Sequence, residues 1–189
     1  GSQGVFRSDD AGASWINVWP YRSYDIEFKP ENEQEIYAIS DVGGRFRIAH
    51  STDSGVTFGN LVSFPQGIEN VDGGLLAISP AAPDQLYAVM LSSQNTPVMY
   101  RGDLSTDNWQ SIAGGNTSQL PMNNGQGFFD LVLEVDPTNS SIIYTGTVTL
   151  YKSENGGASF DAVGGYSGSF PIHPDIQCLK LLGNHKVWV

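Results

Sequence analysis

The sequence predicts an all-β fold assembled from repeated four-stranded units. Three observations carry that prediction. The polarity comes from Ser, Thr, Asn, Gln and 22 glycines, while charged residues make up only 15% against the roughly 25% usual for soluble domains. This mixture favours strands and tight turns. No stretch of a dozen residues keeps apolar residues at helical spacing without a Gly or Pro interrupting it. Third, the chain repeats itself, which decides architecture before any single element does.

Two recurring motifs define the unit. "SDDAGASW", "STDSGVTF" and "SENGGASF" share one pattern, and a worn copy, "DLSTDNW", has lost the glycine. Their closing aromatics, Trp15, Phe58, Trp109 and Phe160, are spaced by 43, 51 and 51 residues. At the same period, "DIEFKPENEQEIYAIS", "GLLAISPAAPDQLYAVM" and "DLVLEVDPTNSSIIYTGT" each run strand, Pro-containing turn, strand, with Tyr37, Tyr87 and Tyr144 in the second strand. A fourth copy, "DIQCLKLLGNHKVWV", uses Gly183-Asn184 for its turn, a hairpin signal.

The elements of each unit follow in order. First strands are expected at residues 25–29, 74–79, 130–135 and 175–181. Second strands carry the Tyr, or Trp188. Third strands run into the Ser-x-Asp-x-Gly turn, as in "GVFRS", "VMYRG" and "TLYKS", and fourth strands start at the aromatic. Four antiparallel strands repeated every 40–50 residues or so describe a β-propeller. The blades span residues 21–65, 66–115 and 116–165, with half blades at 1–20 and 166–189. Either the two halves meet in one shared blade, or the chain is a slice of a larger propeller. The slice is favoured, because an open end leaves sheet edges that a neighbour must cover.

Within the turn, Gly12, Gly55 and Gly157 are to supply positive φ. Ser8, Asp10, Ser51, Asp53, Ser153 and Asn155 are to bond turn amides. Trp15, Phe58 and Phe160 are to plug the gap between sheets. A calcium loop would need more oxygen ligands than this.

These motifs resemble the Asp-box, or BNR-repeat, propellers over essentially the whole chain. That group includes sialidases, xyloglucanase-type glycoside hydrolases, sortilin-type ectodomains and many secreted bacterial proteins. "DPTNSSIIYTGT" with "YKSENGGASF" is most similar to the xyloglucanase and sortilin-like branch. "IHPDIQCL" followed by "KVWV" is similar to Bacteroidetes-type surface proteins. The motifs are specific for architecture and not for activity. "FRIA", at 46–49, nearly matches the sialidase arginine motif, but the repeat alignment puts Arg47 on a third strand, roughly 10 Å outside the first. The chain is therefore not expected to be a true sialidase.

In a propeller the first strands line the channel, and ligands gather where those strands begin. The resemblance thus implies a ligand-binding face at Tyr21, Arg22, Tyr24, Asp25, Asp72, Gln126, Phe128, Asp130, His173 and Asp175, with Asn70 and Phe129 beside them. Aromatic rings stack on sugars, and carboxylates accept sugar hydroxyls. If the protein is an enzyme, Asp25, Asp130 and Asp175 are the catalytic candidates, since glycoside hydrolysis uses paired carboxyls. Recurrence of Asp at one blade position instead favours a register role, because acid and base must differ in environment.

Exclusions narrow the functions. A net charge of −11 argues against nucleic acid and anionic membranes. No apolar run approaches the roughly 20 residues of a membrane helix. No signal peptide stands at residue 1, and Gly1-Ser2 reads as a cloning remnant or the middle of a longer chain. His50, His173 and His185 lie too far apart to expect a metal, and no cofactor is expected. Cys178, in "IQCLKLL", is expected to be a buried small hydrophobe. Arg7, His50, Arg101 and Lys152 read as a solvated basic rim. Asn116 and Asn139 match the glycosylation sequon. The long loop at 113–127 leads to the binding face. The expected function is a non-enzymatic secreted or cell-surface propeller that binds glycan or protein, with further blades beside it. The alternative is a xyloglucanase-like glycoside hydrolase.

Overall fold

The computed structural model describes residues 1–70, 73–92, 96–114, 120, 122, 126–183 and 186–189. The described chain is all-β apart from one helical turn, and its strands form antiparallel sheets in sequence order. β1 (Val5–Arg7) pairs with β2 (Ile16–Trp19). β3 (Ser23–Lys29), β4 (Asn32–Asp41), β5 (Phe46–Ser51) and β6 (Gly59–Asn60) form a four-stranded meander. A second meander holds β7 (Gly74–Ser79), β8 (Ala82–Ser92), β9 (Thr96–Asp103) and β10 (Asn108–Gly114). After a four-residue helical turn, α1 (Gly127–Asp130), come β11 (Val132–Val135), β12 (Ile143–Gly146), β13 (Thr149–Ser153) and β14 (Asp161–Gly165). β15 (Lys180–Leu182) and β16 (Lys186–Trp188) pair as a separate ribbon.

The sheets stack face to face. Tyr37, Ile39, Phe46 and Ile48 of one meander pack on Leu76, Leu86, Ala88 and Met90 of the next. Tyr87, Val89 and Met99 then pack on Leu133, Val135, Ile143 and Phe160. Val132 and Leu150 meet Ile176 and Leu179. Second strands are therefore covered on both faces, and residues 36–40 and 86–91 are buried without a break. That is why "IYAIS" and "LYAVML" read as continuous runs in place of an alternation. First strands touch in series, β3 to β7, β7 to β11 and β11 to β15.

The three Ser-x-Asp/Asn-x-Gly turns share one hydrogen-bond pattern. The Gly12, Gly55 and Gly157 amides donate to Ser8, Ser51 and Ser153 Oγ at 2.8, 2.9 and 2.9 Å. The Ser14, Thr57 and Ser159 amides donate to Oδ1 of Asp10, Asp53 and Asn155. All three glycines have positive φ. The worn turn has Asp107 at φ 52, a conformation Asp tolerates.

Several expectations need correction. The strand expected from residue 130 starts at Val132, because Asp130 closes α1. The strand expected from residue 175 starts only at Lys180, because Asp175 adopts φ 74 and breaks the extended run. Cys178 is exposed: Ile176, Leu179 and Leu181 take the inward positions. Trp15 is 61% exposed, since Phe58 and Phe160 each reach the preceding sheet and no described sheet precedes β1. The basic residues are not a freely solvated rim. His50, Arg101 and Lys152 sit directly across from Tyr37, Tyr87 and Tyr144. His50 stacks on Tyr37 at 4.5 Å and 2°, and Lys152 Nζ lies 5.9 Å from the Tyr144 ring centre. Arg7 alone fits the expected rim, pairing with the neighbouring, exposed Asp9 at 2.6 Å.

Candidate functional site

In a meander, the turns after first and third strands emerge at one end. The links into first strands and from second to third strands emerge at the other. The second end therefore gathers the segments before β3, β7, β11 and β15 together with the β4–β5 link. Asp72 lies outside the described residues, as do Asn116 and most of the long loop.

Around β3 the loop end is tightly bonded. Tyr21 is 40% exposed, with its ring 4.9 Å from Trp19. The Arg22 guanidinium lies 4.9 Å over the Tyr24 ring. Tyr24 Oη accepts from Asn70 Nδ2 at 2.6 Å. The Asp41 amide donates to the Arg22 carbonyl, and Asp41 Oδ1 accepts the Gly44 amide at 2.7 Å. Arg45 donates to the Gly67 carbonyl, and Arg47, on the third strand β5, donates to the Phe46 carbonyl. The arginines thus pin loops and strands and do not converge on a common anion.

The candidate carboxylates differ sharply. Asp25 Oδ1 accepts the Ile26 amide at 2.9 Å, and Oδ2 accepts the Leu76 amide of β7 at 2.8 Å. Burial raises its proton affinity against those two bonds. Asp130 is 1% exposed, and among the described residues neither carboxylate oxygen has a hydrogen-bond partner. Burial and then the charge of Asp175 push its pKa up. Asp175 is exposed. His173 is also exposed, with Nδ1 2.6 Å from the Pro174 carbonyl. The Gln126 carbonyl accepts the Phe129 amide at 2.8 Å and starts α1. The exposed rings of Phe128 and Phe129 follow, at 62% and 65%.

A second charged group was not anticipated. Glu27 on β3 has its pKa pushed up to about 7, first by burial and then by Asp25 and Glu134, with Lys180 opposing. Lys180 of β15 bonds Glu134 of β11 at 2.6 Å. First strands from three sheets therefore bring their charges together. The available signal was an ionisable residue inside each of the apolar runs "DIEFK", "LVLEV" and "CLKLL". Among the described residues, no three His, Cys, Asp or Glu side chains come together to hold a metal ion.

This combination of exposed rings, carboxyl groups and committed arginines suits a neutral hydroxylated ligand better than an anionic one. No family model matches the chain. A xyloglucanase of Hypocrea jecorina is 28% identical over 163 residues, covering 79% of this chain and 18% of that protein. The chain thus spans less than a fifth of this curated relative. The GH74 xyloglucanase of Xanthomonas campestris superposes with a TM-score of 0.59 at 17% identity, covering 85% of this chain and 27% of that one. YCF48 from Cyanidioschyzon merolae superposes at 0.54 and 19% identity, covering 80% and 40%. These likenesses establish a propeller-like all-β fold.

Proposed function

We propose that this chain is part of a non-enzymatic, polysaccharide-binding propeller allied to the xyloglucanases, with its loop end as the glycan surface. The observation that carries this reading is the exposure of Tyr21, Phe128 and Phe129 at that end, beside carboxyl groups and arginines that, among the described residues, are bonded to backbone carbonyls or lie over a ring. Stacked rings hold sugar faces, and carboxyl groups bond hydroxyls. The three serine-containing turns are Asp-boxes with a structural role. The reading places the protein outside the cell or on its surface. Its partner is a glycan, or a protein bound through the same face. Further blades lie beside it, which the 18% share of its relative supports.

Affinity electrophoresis and calorimetry against neutral β-glucans, xyloglucan included, test the reading. Phe128→Ala and Tyr21→Ala are each expected to weaken binding by about tenfold. Absence of binding to any neutral polysaccharide overturns it, as does wild-type affinity in both variants.

A second reading, glycoside hydrolysis, is favoured by the asymmetry between Asp25 and Asp130. An acid and a base need different environments, and these two have them. Release of new reducing ends from xyloglucan, abolished in Asp130→Ala, would establish turnover and replace the binding-only reading.

A further inference from the structure

In each four-stranded sheet the second strand pairs with the third: β4 with β5, β8 with β9 and β12 with β13. The two ribbons break this rule in opposite ways. β16 stands where a second strand does, since Trp188 faces Lys180 as Tyr37, Tyr87 and Tyr144 face Glu27, Ala77 and Glu134. β1 and β2 stand where third and fourth strands do, since Arg7 faces Ile16 as His50, Arg101 and Lys152 face Gly59, Gln110 and Asp161. Among the described residues β16 has no third strand, β1 has no second strand, and the two lie in separate sheets. An unpaired edge is a template for another strand.

The side chains match in the same way. Third- and fourth-strand rings reach back to the preceding sheet: Tyr100 and Trp109 pack on the cluster holding Tyr37 and Ile48, and Tyr151 and Phe160 join the one holding Tyr87 and Met99. Their counterparts on the β1–β2 ribbon, Phe6 and Trp15, are 42% and 61% exposed. At the other end of the stack, the surface that such rings would cover is open. Tyr144 and Leu150 hold the places of Tyr37 and Ile48, and with Lys152, Val163, Ile172 and Val187 they line a mostly apolar groove of about 570 Å³.

We propose that the β1–β2 ribbon of a second copy of this chain docks here, with β1 adding to the free edge of β16 and with Phe6 and Trp15 entering the groove. The register of the other sheets sets Arg7 across from Trp188. That pair repeats the stacking of His50 on Tyr37 and the approach of Lys152 to Tyr144, a favourable contact between a cation and a ring face. A small apolar ligand would fill the groove but leave both strand edges unpaired, whereas the ribbon answers both. The contact is head-to-tail, so it closes into a ring or runs on as a filament. Among the described residues each copy holds three four-stranded sheets and two ribbons, so two copies joined at both ends make eight four-stranded sheets, within the propeller range of roughly four to eight blades. The inference does not depend on the glycan reading.

The test is sedimentation of the 189-residue chain under reducing conditions, because Cys178 is exposed. Concentrations run up to about 100 μM at about 0.15 M salt, which screens repulsion between two acidic chains. Wild type is expected to reach twice the monomer mass. Trp15→Asp on the ribbon and Val187→Asp in the groove are each expected to weaken association by about tenfold or more. Both side chains are exposed, and unchanged circular dichroism separates loss of contact from loss of fold. An equimolar mixture of the two variants is expected to associate more strongly than either alone, because the groove of the first and the ribbon of the second are intact. Wild type that stays monomeric throughout overturns the inference and leaves the groove to an adjoining blade of a longer polypeptide. Variants that associate like wild type, or a mixture that gains nothing over its components, overturn it as well.

Discussion

The backbone amide of Leu76 donates to Asp25 Oδ2 at 2.8 Å, so a side chain on the first strand of one sheet closes onto the first strand of the next. This bond links β3 to β7 independently of the apolar packing between their sheets. Asp25→Ala leaves the Leu76 amide without its acceptor. It is expected to cost about 1–3 kcal/mol in urea unfolding, with Asp25→Asn costing less because the amide oxygen still accepts. Equal stability of Asp25→Ala and wild type would show that the bond contributes nothing.

Glu27 predicts a pH dependence of stability. Its folded pKa is about 7 against an ordinary value of 4.5. Below 4.5 the carboxyl is protonated in both folded and unfolded chains and has no effect. Between 4.5 and 7 the folded chain keeps a proton that the unfolded chain releases, so stability falls as pH rises. Above 7 the loss is complete. Glu27→Gln is therefore expected to match wild type near pH 4 and exceed it near pH 8 by about 1–2 kcal/mol, after discounting for a half-buried group. Thermal melts across that range check it. Parallel wild-type and Glu27→Gln curves would exclude the effect.

What could be read from the sequence divides along the range of the interactions. The all-β class and the four-stranded units were legible because turn chemistry and apolar runs are local: Pro30, Pro80 and Pro137 fall in the turns between first and second strands. The meeting of Glu27, Glu134 and Lys180 was not, because it needs three sheets brought together from distant sequence. Cys178 was misread for a related reason. Residues 176–179 form no strand, and Ile176 and Leu179 take the inward positions there, which a run of apolar letters does not reveal. At the loop end the aromatic and acidic residues could be named. That Asp25 is held by a neighbouring sheet depends on the Leu76 amide, 51 residues away in sequence.

Two turn glycines with the same φ separate backbone strain from packing. Gly12 and Gly157 both have φ 91. An added Cβ at Gly12 would meet only Trp15 Cζ2 at 3.7 Å, whereas at Gly157 it would lie 2.5 Å from Ile112 Cδ1 of the preceding sheet. Gly12→Ala is expected to cost about 1–2 kcal/mol from the left-handed backbone alone. Gly157→Ala is expected to cost about 1–3 kcal/mol more from overpacking. Chemical denaturation of both variants measures the difference, and equal losses would mean that Ile112 yields freely.

Asp53 and Asn155 occupy the same place in equivalent turns, one ionisable and one not. The Thr57 amide and hydroxyl and the Ser51 hydroxyl hold Asp53 as a carboxylate, with its pKa lowered to about 2. Asn155 accepts the Ser159 amide at 2.9 Å and donates from Nδ2 to Ser159 Oγ at 2.8 Å, so the turn closes without charge. For Asp53, the stabilisation is present above the ordinary carboxyl pKa of 3.8. It is lost as pH falls from there through about 2, because the folded chain resists a proton that the unfolded chain takes up. Asp53→Asn is therefore expected to fold normally at neutral pH, with Thr57 Oγ1 serving as acceptor as Ser159 Oγ does, and to be less sensitive to acid than wild type. Asp10, whose pKa is also lowered to about 2 by Ser14 and Ser8, should respond the same way, and Asp10→Asn with Asp53→Asn should add. Acid titration followed by tryptophan fluorescence gives the midpoints. An unchanged midpoint in the double variant would show that these turns do not contribute to acid unfolding.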